Sequence, residues 1–495
     1  MNPEASDRIE PWVWRIAAIV ILGSVMSILD TTIVNVALTS LGRELHSSVA
    51  QIQWVVTGYL LSLAAVIPVA GWAGRRFGPK RVYLVSLVLF TAGSALCGLS
   101  SSITELTAFR VLQGVGGGMI LPIGQLMMAS AAGPRRMGRV MSVIAVPAML
   151  APIFGPAIGG LIIDNASWRW IFFVNVPIGA IAFIAAYRGL KEAEPQPAGR
   201  LDVAGLAMLA TGMPAITYGL AEVGTTGGFS SAKVIVPLVA GVCLVVAFVL
   251  HALRADRPLL DMRLYSRRTF AAASITTFCL GAALFGAMIL MPLYYQQVRA
   301  QSVLDTGLLV GFSGIGAALV MPLAGRLTDR LGGGPLALFG VLITAIGTVP
   351  LALIGVHTSI AYLSLVLFVR GIGVGFAFIP AMSVAFAALR PEELSDATPQ
   401  MNVLQRLGGS MGVAVLAVVL QRSISAAGHA AGHAPGLAAV AGAYGTAFWW
   451  AFGIAAAATV PCLVLMRAER RIAEQRRADT AEPAAEAPSL EPVGV

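Results

Sequence analysis

The chain has 495 residues, of which 57% are hydrophobic and only 12% are charged, and its mean hydropathy is +0.82. An ordinary soluble domain carries roughly 25% charged residues, so this composition excludes a soluble globular protein and indicates a polytopic membrane protein. The net charge of +9 comes mainly from loops between apolar segments and does not indicate nucleic-acid binding. The four cysteines lie in apolar segments without paired spacing, so we expect neither a disulfide nor a metal cluster.

Fourteen apolar segments are long enough to cross a bilayer as helices of about 20 residues. They cover 14–38, 50–70, 82–100, 105–129, 140–163, 168–187, 203–221, 233–253, 269–295, 304–324, 336–356, 360–388, 401–421 and 445–466. Of the 33 Lys and Arg residues, 25 fall in alternate loops and the two tails, five in the other loops and three inside segments. Because basic residues concentrate on the cytoplasmic side, we expect fourteen helices with both termini in the cytoplasm.

The first segment contains Asp30, the only acidic residue deep within any predicted helix. A charged side chain at that depth costs about 2.5 to 3.5 kcal/mol on translocon scales. A carboxyl group that faces a water-filled cavity and exchanges protons would explain its presence. The alternative is a structural Asp that is held by a partner helix.

An internal repeat divides the chain. GWAGRRFGPKR (71–81) follows the second segment and GRLTDRLGGGP (325–335) follows the tenth, which are equivalent loops if segments seven and eight are an insertion. We therefore expect an all-α protein with six, two and six transmembrane helices and pseudo-twofold halves. The predicted parts are a cytoplasmic tail (1–13), a six-helix bundle (14–187), linkers with two accessory helices (188–268), a second six-helix bundle (269–466) and a disordered cytoplasmic tail (467–495).

The motifs together resemble the major facilitator superfamily, specifically its fourteen-span drug:proton antiporter branch of the EmrB/QacA type. GRLTDRLG resembles the loop motif G-x-L-x-D-R-x-G, FRVLQGVGGG (109–118) the R-x-x-Q-G-x-G motif of the fourth span, and GPAIGG (155–160) the antiporter motif of the fifth. LDTTIVNVAL (29–38) and WRWIFFVNVPIG (168–179) are similar to the branch's first-span and sixth-span motifs. The likeness covers about residues 12–466.

The resemblance implies the major facilitator fold and a proton-coupled antiporter that exports small amphipathic or drug-like molecules by alternating access, as in multidrug or antibiotic efflux. It implies proton coupling by Asp30, Arg110 and Gln113. For Arg110, the alternative is a side chain that snorkels to the outer interface. The antiporter motif comprises Ala151, Gly155, Pro156, Gly159 and Gly160, and the gating loops comprise Gly71, Arg75, Gly78, Gly325, Asp329, Arg330 and Gly332.

One gating position departs from the family's pattern. Arg75 stands where the first loop copy would carry the motif's Asp, while the second copy keeps Asp329. In the superfamily this Asp is thought to pair with a basic residue and a helix end to hold the inner gate shut. Since an Arg cannot accept hydrogen bonds, we expect the gate to depend on Asp329 and to be weaker or differently wired in the first half.

Substrate determinants are harder to separate from core residues. The candidates that we expect to line the cavity are Asn35, Trp54, Tyr59, Gln125, Tyr294 and Arg370. Arg406, about a turn into the thirteenth segment, is interpreted more simply as snorkelling to the inner interface. A single deep acid favours lipophilic monocations, neutral compounds or weak anions over dications as substrates.

The remaining expectations concern partners and location. We expect a small lipophilic substrate, protons and the lipid bilayer as partners, no nucleic acid, and a monomer, with a periplasmic adaptor left open. The proton gradient would supply the energy, without a cofactor. Abundant Ala, Gly and Arg with only three Lys suggest a GC-rich bacterial gene and hence the cytoplasmic (inner) membrane.

Two other functions remain as alternatives to antiport. The nearer is a facilitator or symporter for a small metabolite. The more distant is a membrane-embedded enzyme, which would need clustered acids or a nucleophile with its base, and the acids here are single and scattered. HAAGH (429–433) has no third ligand nearby, so no metal site is predicted.

Overall fold

A computed structural model describes residues 10–47, 49–132, 136–192, 199–226, 228–387, 389–431 and 436–481. Every regular element in these ranges is helical. The α-helices are α1 Pro11–Glu44, α2 Val49–Val66, α3 Val69–Phe77, α4 Pro79–Leu99, α5 Ile103–Ala132, α6 Met137–Asn165, α7 Trp170–Phe173, α8 Asn175–Gly189, α9 Val203–Thr226, α10 Ala232–Arg254, α11 Arg268–Gln297, α12 Val303–Leu331, α13 Gly333–Ala352, α14 Ile360–Ala387, α15 Leu394–Ala431, α16 Leu437–Ala457 and α17 Thr459–Ala481. Two 3-10 helices, Met262–Ser266 and Pro391–Glu393, lie between them.

The described helices provide twelve spans that are long and apolar enough to cross a membrane. A thirteenth is present if α2 and α3, which meet at 56°, are counted as one bent span. The part of α6 that passes as apolar, Met137–Pro147, is shorter than a span. The count of fourteen and the cytoplasmic termini therefore stay predictions.

Three predicted single helices are each broken into two consecutive pieces, and each break lies beside a proline. Pro68 lies between α2 and α3, Pro177 in the first turn of α8 and Pro461 in the first turn of α17. Proline has no N–H to donate, and only the first turn of a helix leaves that donor without an intrahelical partner. A new helix can therefore begin at these points without losing a hydrogen bond.

Some predicted boundaries are wrong. Helix α15 begins at Leu394, seven residues before the predicted start of the thirteenth segment. Helix α17 continues to Ala481, so the predicted disordered tail is incorrect for 467–481, while 482–495 lie outside the described residues. At the other terminus, α1 begins at Pro11, inside the predicted tail, and residues 1–9 are likewise outside the description.

The helices pack as two bundles with a pair beside them. In the first bundle α5 packs against α1, α2 and α4, and in the second α14 packs against α12 and α13 while α15 packs against α11. The two bundles meet where α6 packs along α12 and where α3 packs against α15. Helices α9 and α10 pack against each other, and α9 also contacts α2 of the first bundle and α15 of the second.

The two copies of the sequence repeat form the same turn. Gly78 connects α3 to α4 with φ of 86°, and Gly332 connects α12 to α13 with φ of 88°. This left-handed region is open to glycine and costly for other residues, which explains why both copies keep Gly at this place. We call the end of the molecule that carries these two turns the motif end.

Candidate functional site

Asp30 is completely buried in the first bundle, where three side chains donate hydrogen bonds to its carboxylate. Arg110 Nη1 lies 2.6 Å from Asp30 Oδ2. Gln113 Nε2 and Asn175 Nδ2 each lie 2.9 Å from Asp30 Oδ1. A buried charge is tolerated when it is paired and its remaining lone pairs accept hydrogen bonds. This arrangement therefore compensates for the cost of an acid at this depth.

Arg110 is held by the same network and does not reach the interface. Its side chain is 1% exposed, and it also donates to the Val55 carbonyl at 3.2 Å and to Gln113 Oε1 at 2.8 Å. The guanidinium stacks over the Tyr59 ring at 4.0 Å, a favourable cation–π geometry. The snorkelling interpretation of Arg110 is therefore wrong.

Two members of the network were not singled out from the sequence. Asn175 begins α8 and donates both to Asp30 and to Ser94 Oγ, at 2.9 and 3.0 Å. Ser94 in turn donates to the Phe172 carbonyl at 2.9 Å. The only available signal was an amide between apolar residues in VNVP (174–177), inside the sixth-span motif, because an unpaired amide in an apolar span is costly.

Protonation of Asp30 would replace its ion pair with Arg110 by a contact between a neutral carboxyl group and a cation. An ionised carboxylate only accepts hydrogen bonds, whereas a protonated one must also donate. Adding a proton to Asp30 would cancel its charge interaction with Arg110, but Arg110 would keep its two acceptors at Val55 and Gln113. The three side chains that contact the carboxylate are all donors to it, so a protonated Asp30 needs a rearrangement of one of them to supply an acceptor.

The antiporter motif packs directly beside this site. Along α6, Gly155 and Gly159 face α1 at Thr32 and Ile33, two and three residues beyond Asp30. A Cβ added at Gly155 would lie 2.0 Å from Thr32 Oγ1, whereas one added at Gly160 would meet nothing within 4 Å. The close approach of α1 to α6 thus depends on Gly155 and Gly159 and not on Gly160. Ala151 is buried, and the side chain of Pro156 lies outside the described residues.

Asp329 connects the two bundles at the motif end. Its Oδ1 accepts from the Gly138 N–H at 2.9 Å and its Oδ2 from the Arg139 N–H at 3.3 Å. Both N–H groups belong to the first turn of α6, where the helix dipole is positive and donors lack intrahelical partners. Arg139 Nε lies 3.8 Å from the same carboxylate. We call this contact the acidic latch.

Arg75 makes a second connection of opposite polarity. Its Nη1 lies 2.7 Å from Asp396 Oδ1, and it also donates to the Ser395 hydroxyl. A cation beside the first turn of α15 would be repelled by the positive end of the helix dipole, but Asp396 in that turn supplies the compensating charge. We call this contact the basic latch. It differs from the acidic latch because Arg75 stands where the loop motif would carry an Asp.

Glycines mark both crossing points of the bundles. A Cβ on Gly71 would lie 2.1 Å from the Ser395 carbonyl oxygen, and one on Gly325 would lie 2.7 Å from the Gly138 carbonyl oxygen. Asn402 Nδ2 adds a 2.6 Å hydrogen bond to Gln125 Oε1 across the same interface. The bundles are therefore closed against each other at the motif end. Arg330 is exposed there.

The residues predicted to line the cavity differ in their exposure and contacts. Trp54 is 47% exposed and stacks on Tyr218 of α9, while Tyr59 and Gln125 take part in the contacts above. Tyr294 is fully buried in this structure and donates to the Gly355 carbonyl at 2.7 Å. The side chain of Asn35 lies outside the described residues.

Arg370, the remaining cavity candidate, is 4% exposed. Its Nε lies 3.2 Å from Thr348 Oγ1 and its Nη2 lies 3.1 Å from the Ala283 carbonyl. Both acceptors are neutral and belong to the second bundle. The guanidinium is therefore anchored in the wall of that bundle.

A helical bundle that buries a carboxylate–guanidinium pair, and that closes at one end against a second bundle, is typical of a secondary membrane transporter. A family model described as Major Facilitator Superfamily matches residues 20–413. The chain belongs to the major facilitator superfamily, and it is a transporter rather than an enzyme.

Several bacterial proteins are similar over most of their length. The "Multidrug resistance protein B homolog" of Mycobacterium tuberculosis (strain ATCC 25618 / H37Rv) is 38% identical over 418 residues, which is 84% of this chain and 77% of the relative. The "Multidrug export protein EmrB" of Escherichia coli (strain K12) is 30% identical over 398 residues, 80% of this chain and 77% of the relative.

Solved structures share the fold. The crystal structure of the human organic anion transporter MFSD10 has a TM-score of 0.64 and 16% identity, and the match covers 92% of this chain and all of that one. The proton:xylose symporter XylE has a TM-score of 0.63 and 14% identity, over 92% of this chain and 95% of that one. At these identities the likeness shows the fold alone.

Proposed function

We propose that this protein is a proton-coupled antiporter that exports small amphipathic or drug-like molecules across the cytoplasmic membrane of a bacterium. The names and organisms of its relatives support the direction and the kind of substrate. The observation that carries the proposal is the buried Asp30–Arg110 pair with its two amide donors, because this pair offers one protonatable group at the centre of a membrane-spanning bundle.

In the proposed cycle, a proton reaches Asp30 when the cavity is open to the outside. Protonation removes the attraction between Asp30 and Arg110, and Arg110 lies against the Tyr59 ring. The Tyr59 hydroxyl also lies 3.3 Å from Ser27 Oγ on α1. A shift of Arg110 on α5 would therefore change contacts with both α1 and α2. Release of the proton to the inside restores the ion pair and resets the site.

Coupling of proton movement to export requires only that binding of the proton and binding of the substrate are mutually exclusive. In this structure Asp30 has no exposed surface, so a proton enters or leaves only in another conformation. The two latches and the Gln125–Asn402 hydrogen bond close the motif end, which is the cytoplasmic end if the predicted topology is correct. The proton gradient is the energy source, no chemical cofactor takes part, and a monomer in the bilayer is sufficient.

Proton release from energised inverted vesicles tests the proposal. We expect that addition of a transported amphipathic compound releases protons from vesicles with wild-type protein and not from vesicles with Asp30→Asn. Removing one partner of a buried pair costs about 3 to 5 kcal/mol, so the variant needs a check of folding by thermal unfolding of the purified protein.

A double variant separates stability from coupling. Asp30→Asn combined with Arg110→Gln leaves the site neutral, and it is therefore expected to unfold at a higher temperature than Asp30→Asn alone while remaining unable to couple protons. Normal proton release by a folded variant without Asp30 would refute the role of this carboxyl. Substrate movement without proton movement in the wild type would instead indicate a facilitator.

A further inference from the structure

Arg406 is an exposed cation in the middle of a membrane-spanning helix. It lies twelve residues after Leu394, the first residue of α15, which places it about 18 Å along the helix axis at 1.5 Å per residue. The sequence placed Arg406 about one turn into its apolar segment, whereas in the structure three turns of α15 precede it. Among the described residues Arg406 has no carboxylate partner.

Arg406 lies on the side of α15 that also carries a contact with the first bundle. One helical turn earlier on the same face of α15, Asn402 bonds to Gln125 of the first bundle. At Arg406, one turn further along α15, the side chain is exposed. The exposed guanidinium therefore lies one turn beyond the Asn402–Gln125 contact between the bundles.

The wall of the second bundle at this depth is positively charged. On α11, Gly281 packs against the Gln405 carbonyl, and two residues further Ala283 accepts from Arg370. Arg370 and Arg406 thus lie at a similar depth on either side of α11. Asp30 is the only deep acid in the sequence, and Arg110 already pairs with it. Neither cation of the second bundle is therefore compensated by a deep carboxylate.

An aromatic surface lies one turn beyond the cation. Phe285 of α11 is 39% exposed, and its ring lies against Gly409 of α15, three residues after Arg406, where an added Cβ would come within 2.8 Å. A guanidinium next to an exposed ring suits a molecule with an anionic group and an apolar body, because the fork of donors binds carboxylate or sulfonate oxygens and the ring contacts the apolar part.

We propose that Arg406 is the anion-binding residue of the central cavity and that the exported compounds are amphipathic organic anions with a carboxylate or sulfonate group. The assignment rests on the proposed function, since it names the substrate class of that exporter. Lipophilic cations bind poorly at this place because they meet two uncompensated guanidinium groups.

Binding of two matched probes to purified full-length protein in nanodiscs of neutral lipid tests the assignment. Naphthalene-2-sulfonate and 2-naphthyltrimethylammonium share one ring system and differ in the sign of their charge. We expect wild type to bind the sulfonate more tightly, Arg406→Gln to weaken sulfonate binding by about ten- to a hundredfold, the range for a lost charge-assisted contact, and Arg406→Lys to recover part of the loss.

Arg422→Gln is the matched control, because Arg422 is an exposed arginine near the other end of the same helix. It is expected to leave sulfonate binding within twofold of wild type, and binding of the ammonium probe is expected to be unchanged or improved in Arg406→Gln. Wild type that prefers the ammonium or binds neither probe overturns the assignment, and so does equal loss of sulfonate binding in both glutamine variants.

Proton release in inverted vesicles distinguishes a failure of this assignment from a failure of the proposed function. If the ammonium probe drives proton release and Arg406→Gln leaves it unchanged, the antiporter proposal stands and the anion assignment fails. If the sulfonate binds through Arg406 but no probe moves protons, the anion site stands and antiport fails.

Discussion

Replacing Asp329 by Asn is expected to open the motif end. The Asp329 carboxylate accepts two backbone N–H groups at the start of α6, and an Asn keeps only one acceptor oxygen and no charge. Losing one charge-assisted hydrogen bond costs about 1.5 to 3 kcal/mol, and the lost interaction with the helix dipole adds about 0.3 to 1 kcal/mol. The lower end of the sum, about 2 kcal/mol, corresponds to about a thirtyfold larger open population.

Labelling of a buried thiol measures this population. Ser142 is 2% exposed, and its hydroxyl oxygen would lie 2.8 Å from a Cβ built on Gly325 of the other bundle. A cysteine at 142, in a background without the four native cysteines, is expected to react with a bulky maleimide about thirty times faster when Asp329 is Asn. Arg326→Gln, an exposed change on the same helix, is the control. Equal labelling rates in wild type and Asp329→Asn would refute the reasoning.

Three further outcomes follow from the contacts. Arg75→Asp is expected to speed the same labelling, and adding Asp396→Arg is expected to reverse this with a coupling energy of about 1 kcal/mol; a coupling of zero would exclude the basic latch. Gly155→Ala places a Cβ 2.0 Å from a threonine oxygen of α1, while Gly160→Ala meets nothing within 4 Å. Overpacking costs about 1 to 3 kcal/mol, so the first variant is expected to unfold at a lower temperature and transport less than the second, and equal behaviour would contradict this packing. Asn175→Ala removes one of the three donors to Asp30 and is expected to cost about 1 kcal/mol of stability and to reduce proton-coupled flux; unchanged thermal unfolding and flux would count against its role.

Hydropathy predicted the apolar helices because it is averaged over long segments, and the repeated loop sequence predicted their division into two bundles. Hydropathy predicted helix ends less well. Helix α15 extends seven residues before its apolar segment and α17 extends beyond its own, since a polar sequence such as LSDATPQ can continue a helix when the other bundle covers it. Hydropathy measures where a helix meets lipid, and it does not measure where hydrogen bonding ends.

The candidate site was predictable as far as single residues stood out. A lone acid among apolar residues singles out Asp30, and the motif singles out Arg110 and Gln113. Asn175 is one polar residue in another helix, and only the packing of α8 against α1 and α4 brings it to Asp30. The environment of Arg406 was not predictable, because it depends on where α15 begins and on how the two bundles pack against each other.

The position of α9 bears on how the halves can move. This helix contacts α2 of one bundle and α15 of the other, and Trp54 of α2 stacks on Tyr218 of α9 at 6.1 Å. Any rotation of one bundle against the other must shear at least one of these two surfaces. Substitutions in α9 at these contacts are therefore expected to change the rate of the conformational change, although the side chains lie in an accessory helix outside the two bundles.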